Sequence, residues 1–320
     1  MLKSLYPILP LFLLLNISCV ENIIFIQVYP DGQTYLKIVS LGDSTDIYNN
    51  DFEHPLKNKT TGNNSFSLIK RDSLWEATTE IIYKDSIFIF DSTNGLGFNF
   101  HRLEEKKTLS MFYNFKMEFI GRTIKRNYPL LYQALKDNML DSLDWLPEAM
   151  TVIIDQALTN LENETIKINN TINRKRLVNH FKNSFARITT YEGLQYIQKN
   201  RLEFIKTTIK PFKLDENFAI KLANKMKFYE NHLTASLGLK DDSFLVKLLM
   251  PGEMFSTNAL SMNQDTLVWK FGLESLLNDN YVLSASSVKY SKKKIQKTSI
   301  LVVCFLLIFG IILVNKQTKL

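Results

Sequence analysis

A chain of 320 residues, 45% hydrophobic and 22% charged, is long enough for one large domain or two modest ones, and this composition excludes a disordered chain. Setting aside Lys3 and the six lysines of 292–320 leaves 32 basic against 32 acidic residues in 19–291, although the whole chain has a formal charge of +7. A neutral middle offers no electrostatic footprint for nucleic acid, so we expect no nucleic-acid partner.

Residues 1–18 have the pattern of a secretory signal: a basic start, an apolar stretch over 5–15 and a small residue before Cys19. The segment resembles a bacterial lipobox, which implies that Cys19 becomes the first mature residue and carries acyl chains such as palmitate. Asn16 departs from that pattern, in which Leu is usual. The alternatives are an ordinary signal peptide with an incidental cysteine and an uncleaved N-terminal anchor.

Residues 19–121 are predicted to be rich in β-strands. Apolar residues alternate from Ile24 to Val28, and the turn that follows contains Gly32, which can take a positive φ. Further strands are predicted over 35–39, 65–69, 74–83, 87–90 and 110–119. The polar segment 43–64 is predicted to be an exposed loop.

Residues 122–240 are predicted to be a helical insertion, because apolar residues recur there at spacings of three and four. Helices are expected over 131–146, 149–158, 177–188, 194–209 and 215–238, with an Asn-rich connector at 160–172. Asp215 is placed to cap the last helix and Gly238 to end it.

Residues 241–291 return to β-structure, with alternation in 244–248, 267–271 and 281–287. The simplest architecture is α+β: a mostly antiparallel sheet built from both ends of the region and interrupted by the helical insertion. Two separate domains in sequence are the alternative. We favour the single sheet because a final β segment of about 50 residues would not fold easily alone.

Residues 298–315 contain no charge, which predicts one transmembrane helix followed by a tail at 316–320. The expected location is a bacterial cell membrane, crossed once, with residues 19–291 outside the cytoplasm. Four lysines would then lie on the outer side, contrary to the usual charge bias, which long translocated domains can override. A buried core helix is the alternative.

The segment ahead of this helix contains Leu-Met-Pro-Gly at 249–252, then Thr257-Asn258, and then Trp269. It resembles the C-terminal part of uncharacterised bacterial lipoproteins, including the LppM-like group. The resemblance covers about 70 residues plus the signal, and it implies β-strands just outside a C-terminal membrane segment. It implies no active site, because the group has no agreed biochemical activity. The long helical region departs from the small β-rich members of the group.

Residues that could carry chemistry are scattered. Four histidines, His54, His101, His180 and His232, show no metal-ligand spacing, and neither a nucleophile elbow nor a phosphate-binding glycine loop occurs. We therefore expect no metal and no cofactor. The helical histidines, His180 and His232, are interpreted as surface residues.

The acidic and aromatic residues are also interpreted as structural. Asp43, Asp46 and Asp51 in the polar segment, and Glu104-Glu105 in a second loop, are expected to be solvated charges. The three tryptophans, Trp75, Trp145 and Trp269, are expected to anchor cores or interfaces.

These observations predict a membrane-anchored lipoprotein of the cell envelope with a non-enzymatic binding or scaffolding role. Its expected partners are the lipid bilayer and an envelope protein. One alternative is an envelope enzyme, or a domain that handles lipid or another ligand, whose residues meet only in the fold. Another is a eukaryotic type I membrane protein glycosylated at Asn58 and Asn163.

Overall fold

The computed structural model describes residues 20–55, 64–92, 94–163, 174–188 and 190–317, without the side chains of residues 163, 191, 194, 198 and 311–317. The predicted signal over 1–18 and the lipidation site Cys19 lie outside the described residues. So do residues 318–320 of the predicted tail.

Twelve strands of the described chain form two sheets. They are β1 Glu21–Val28, β2 Thr34–Gly42, β3 Ser65–Arg71, β4 Leu74–Tyr83, β5 Ile87–Phe90, β6 Phe98–Lys106, β7 Ser110–Phe119, β8 Ser243–Leu249, β9 Glu253–Thr257, β10 Ser261–Asn263, β11 Thr266–Phe271 and β12 Tyr281–Tyr290. The seven-stranded sheet has the order β10-β11-β8-β1-β2-β4-β3, and the five-stranded sheet has the order β5-β6-β7-β12-β9.

Strands from before and after the helices pair in both sheets. In the seven-stranded sheet β1 pairs with β8 in parallel, and in the five-stranded sheet β7 pairs antiparallel with β12. The prediction of one sheet is corrected to two. The reason is that each sheet has one strongly apolar face, and the two faces bury each other in a shared core.

The core between the sheets is rich in aromatic residues on the five-stranded side and combines aliphatic with aromatic residues on the other. Ile24 and Ile38 from the larger sheet share this core with Phe100, Phe115 and Phe119 from the smaller one. Each large apolar side chain that is fully buried contributes about 1.5–3 kcal/mol. This shared core holds the two sheets together.

Two turns depend on glycine. Gly32 has φ +88°, as the turn between β1 and β2 predicts, and Gly252 after Pro251 has φ +86°. A Cβ at Gly252 would lie 2.2 Å from the carbonyl oxygen of Val288, so that turn also needs the missing side chain. Nearby, the Trp269 indole donates to Asn258 Oδ1 at 3.0 Å, which joins two residues of the segment that resembles bacterial lipoproteins.

The helices lie mostly between β7 and β8. They are α1 Ser44–Tyr48, α2 Ile124–Asn127, α3 Pro129–Lys136, α4 Leu146–Asn163, α5 Arg174–Phe185, α6 Tyr191–Lys199, α7 Arg201–Ile209, α8 Glu216–Gly238 and α9 Lys292–Gln317. Short 3-10 turns lie at Leu140–Ser142, Lys210–Phe212, Leu239–Asp241 and Leu273–Leu276. Helices α2 to α8 enclose a second apolar core. The predicted cap of α8 is confirmed, because Asp215 accepts from the Phe218 N–H at 2.7 Å.

Several predicted elements need correction. The helix expected over 131–146 is two helices, because the chain turns through Asn138 and Leu143, both at positive φ, between α3 and α4. The sequence interpretation also missed β6, β9 and β10. Glu104 and Glu105 therefore lie in strand β6 and not in a loop.

The polar segment 43–64 is only partly an exposed loop. Asp43 caps the short helix α1 by accepting from the Thr45 N–H at 2.7 Å. Asp51 and His54 are buried, which corrects the expectation that this segment is solvated. Residues 56–63 lie outside the described part of the chain.

Within the described residues no helix is long and apolar enough to cross a membrane. The predicted transmembrane helix over 298–315 is therefore corrected. Helix α9 carries Lys292, Lys293, Lys294 and Lys297 in its first turns.

Candidate functional site

Most of the residues singled out in the sequence do not converge. The free cysteine of the described region, Cys304, is exposed on α9. In the described residues no group of three or more His, Cys, Asp or Glu side chains could hold a metal ion. Of the two glycosylation triplets, Asn58 lies outside the described residues, and the side chain of Asn163 is not described.

A buried chain of hydrogen bonds runs through the inner face of the seven-stranded sheet. Its side chains are Thr79, His54, Ser40, Asn22 and Asp242. His54 Nδ1 lies 2.8 Å from the Thr79 hydroxyl, and His54 Nε2 lies 2.9 Å from the Ser40 hydroxyl. Ser40 donates to Asn22 Oδ1 at 2.5 Å, and Asn22 Nδ2 donates to Asp242 Oδ2 at 3.0 Å.

The direction of this chain fixes the tautomer of His54. Because the Ser40 hydroxyl gives its proton to Asn22, its oxygen accepts from His54 Nε2–H. His54 Nδ1 then accepts from the Thr79 hydroxyl. All the donors therefore point towards the Asp242 carboxyl at the start of β8.

Ser40 and His54 have the separation of a nucleophile and its base. Their burial argues against that role, because Ser40 is 4% exposed and His54 is 7% exposed. The partner at His54 Nδ1 is a hydroxyl and not an orienting carboxylate. The pair satisfies buried polar groups and contributes to stability.

Arg122 lies where the chain leaves the five-stranded sheet for the helices, and it is buried. It donates to the Ser236 hydroxyl at 2.7 Å and to three backbone carbonyls, those of Gly95 at 2.7 Å, Asn94 at 2.7 Å and His232 at 2.9 Å. Burial lowers the pKa of Arg122 to about 10. One guanidinium thus joins the loop before β6 to helix α8.

Two buried carboxyls lie where the chain returns from α8 into β8. Burial raises the pKa of Asp51 to about 7, although the amides of Asn49 and Phe52 donate to it. Burial, with the nearby charge of Asp51, raises the pKa of Asp242 to about 9. Gly238 permits this packing, because a Cβ there would lie 2.6 Å from Asp51 Oδ2.

His232, interpreted from the sequence as a surface residue, is half-buried on α8. Burial, together with the nearby positive charge of Arg122, lowers the pKa of His232 to about 4. The imidazole is therefore neutral at pH 7. We call Arg122, His232, Asp51 and Asp242 the junction residues, since they lie between the sheets and the helices.

The second polar region is an open groove on the outer face of the five-stranded sheet, with a volume of about 280 Å³. Its polar lining consists of His101, Asn114, Lys116, Ser256, Ser284 and Ser286. We call it the outer groove. Unlike the chain at His54, its side chains face solvent.

The register of the strands arranges the polar side chains of the outer groove in two rows. In the first row Lys116 lies between His101 on β6 and Ser284 on β12. In the second row Asn114 and Ser286 face each other, and Ser286 donates to Asn114 Oδ1 at 2.7 Å. Directly opposite side chains in adjacent strands lie about 5 Å apart, so these groups can reach one ligand.

Larger apolar side chains lie next to the polar residues of the outer groove. Leu103 is exposed beside Asn114, and the rings of Phe112 and Phe255 are in edge contact with centroids 5.9 Å apart. Lys116 forms an ion pair with Glu118 at 2.5 Å, and the Lys116 side chain is 55% exposed. The groove can therefore bind a small polar ligand, with apolar surface available at its edge.

Comparisons with known proteins leave the chain without an assigned family. No family model and no curated protein matches it. The NMR structure of the folded domain of the Mycobacterium tuberculosis LppM protein matches 86% of this chain and 93% of its own, at 7% identity and a TM-score of 0.29. The sequence resembles the same group, but a TM-score this low carries no argument about fold or function.

The sequence contained a signal for the buried chain that the strand interpretation missed. Asn22 precedes Ile24 and Ile26 at the same alternation, so it occupies a core-facing position. Ser40 and Thr79 do the same on β2 and β4. A polar residue at a core-facing position predicts a buried hydrogen-bond partner. Nothing local marks Arg122 or Asp242, whose partners are distant in sequence.

Proposed function

We propose that this chain is an exported lipoprotein of the bacterial envelope, acylated at Cys19, with a non-enzymatic domain that binds a ligand or partner. The observation that supports the binding role is the difference in solvent access between the buried polar residues and the outer groove. Among the described residues, Ser40 and His54 have the spacing of a nucleophile and its base, but both are buried in the core. The outer groove, in contrast, presents hydrogen-bonding side chains to solvent.

Attachment to the bilayer follows from the N-terminal pattern. Acyl chains on Cys19 would hold the domain at a membrane surface, because Val20 leads directly into β1. Stable anchoring by lipid takes two signals. The lysines at the start of α9, Lys292, Lys293, Lys294 and Lys297, supply a second one by attracting anionic headgroups.

Acyl labelling of cells tests the anchor. We expect a palmitate precursor to label the wild-type chain and the Cys304→Ala control, and to leave Cys19→Ala unlabelled and released from the membrane fraction. Labelling that survives Cys19→Ala, or no labelling of any form, would contradict the lipoprotein proposal.

Cross-linking tests the binding role. A photoreactive side chain replacing Ser256 in the outer groove should give a discrete cross-linked product in cells. The same side chain at Lys270, exposed on the outer face of the other sheet, is the matched control. Equal products from both positions would argue against a binding role for the groove.

A further inference from the structure

We propose that the outer groove binds the phosphate group of a small organic phosphate. This inference rests on the proposed binding role, and it names the class of ligand. It is carried by the side chains that the strand register brings together on one open face.

The groove is rich in hydrogen-bond donors. Lys116 lies in the first row, paired with His101 on one side and with Ser284 on the other. In the second row, Ser286 uses Asn114 Oδ1 as its acceptor, which leaves the amide N–H groups of Asn114 as donors. The Ser256 hydroxyl completes the set at the β9 edge.

The number of donors favours phosphate over carboxylate. Lys116, Asn114, Ser256, Ser284 and His101 come from four adjacent strands, and a carboxylate offers only two oxygen atoms to accept from them. A phosphate ester offers three strong acceptor oxygens in a tetrahedral arrangement. It can therefore accept from both rows at once.

The rest of the ligand has a place to lie. Leu103 is 54% exposed and Phe255 is 58% exposed, on the same face as the donors. An organic substituent on the phosphate would cover these side chains. Inorganic phosphate would leave them in water, so we expect an ester to bind more tightly than the free ion.

Glu118 opposes an anionic ligand. It pairs with Lys116 at 2.5 Å on the same strand, so an incoming phosphate competes with it for the ammonium group. Removing this carboxylate should therefore strengthen binding. A purely structural role for the lysine gives no such expectation.

The test is calorimetric titration of the full-length chain in detergent with phenyl phosphate. We expect Lys116→Gln to weaken binding at least tenfold and Glu118→Gln to strengthen it about threefold to tenfold. Lys270→Gln, an exposed strand lysine outside the groove, should leave affinity unchanged. Benzoate, with the same ring but a carboxylate, should bind at least tenfold more weakly than phenyl phosphate.

Equal effects of Lys116→Gln and Lys270→Gln, benzoate binding as tight as phenyl phosphate, or no binding to the wild type would overturn the proposal. A cooperative thermal unfolding transition in each variant would show that the variant is folded, so that a change in affinity is not caused by misfolding. Competition by vesicles containing phosphatidic acid would identify a lipid headgroup as the source of the phosphate, and lack of competition would identify a soluble ester. Failure here with acyl labelling of Cys19 intact would leave the lipoprotein proposal standing.

Discussion

The buried chain through His54 and the outer groove use similar residues for opposite purposes. Each contains serine, asparagine and histidine in hydrogen-bonding range or in cross-strand register. In the buried chain every proton is directed along the line from Thr79 to Asp242, and the core closes over it. In the groove the donors point to solvent. Solvent access, more than residue type, separates a structural polar network from a binding site.

The largest effect should come from the junction. Arg122→Met removes four hydrogen bonds and leaves one buried and two partly buried carbonyls without that partner. We expect the free energy of unfolding to fall by about 3–5 kcal/mol, measured by urea denaturation. Arg71→Met is the control, because the Arg71 side chain is 63% exposed, and we expect a change within about 0.5 kcal/mol. Equal losses for the two variants would contradict the assigned role of Arg122.

The second effect is a loss of stability in alkali. Asp242 has a pKa of about 9 in the folded chain against an ordinary 3.8, so the folded state holds a proton that the unfolded chain releases. The free energy of unfolding should therefore fall by about 2 kcal/mol between pH 7 and pH 9. The pKa of His232 is lowered from an ordinary 6.5 to about 4, so below pH 6.5 the unfolded chain takes up a proton more readily than the folded chain. His232 therefore lowers stability as the pH falls below 6.5, and it has little effect between pH 7 and pH 9.

Asp242→Asn isolates this effect. The amide has no proton to lose in this range, so its unfolding free energy should stay nearly flat between pH 7 and pH 9. Asp265→Asn, an exposed carboxyl in the turn before β11, is the matched control and should keep the wild-type slope. A wild-type slope in Asp242→Asn would show that other groups cause the alkaline loss.

Much of the fold follows from periodicity in the sequence. Alternation in Ile24 to Val28 places β1, and the spacing of apolar residues after Asp215 places α8 together with its cap. The charges at the end of β6 obscured that strand, whose inner face carries Arg102, which donates to the Thr34 hydroxyl at 2.6 Å. A charged residue with a distant buried partner cannot be recognised from local pattern.

The candidate site was harder to predict than the fold. The alternation of β7 correctly placed Asn114 and Lys116 on a solvent-facing side. Ser284 and Ser256, which complete the groove, come from strands about 140 to 170 residues later. The pairing of β7 with β12, and of β12 with β9, brings them to the same face. Strand partners are chosen by the whole core, so no local signal identifies this groove.

A third effect compares a buried serine with an exposed one. Ser40→Ala removes the hydroxyl that His54 and Asn22 share, and it leaves both with a buried polar atom lacking this partner. We expect the free energy of unfolding to fall by about 1–3 kcal/mol, measured by thermal and urea unfolding. Unchanged stability would mean that the buried chain does not contribute to stability, which would reopen a catalytic role for the Ser40–His54 pair.

The smallest effect should come from the groove itself. Ser256 is exposed on an edge strand, so Ser256→Ala should change the free energy of unfolding by less than about 0.5 kcal/mol. The same substitution should weaken phenyl phosphate binding about threefold to tenfold, because one neutral donor is lost. Such a variant would lose ligand affinity without losing stability. This result would distinguish the groove from the buried chain, where removing a hydroxyl is expected to lower stability. If Ser256→Ala were as destabilising as Ser40→Ala, the groove would be part of the structural polar network, and the distinction by access would fail.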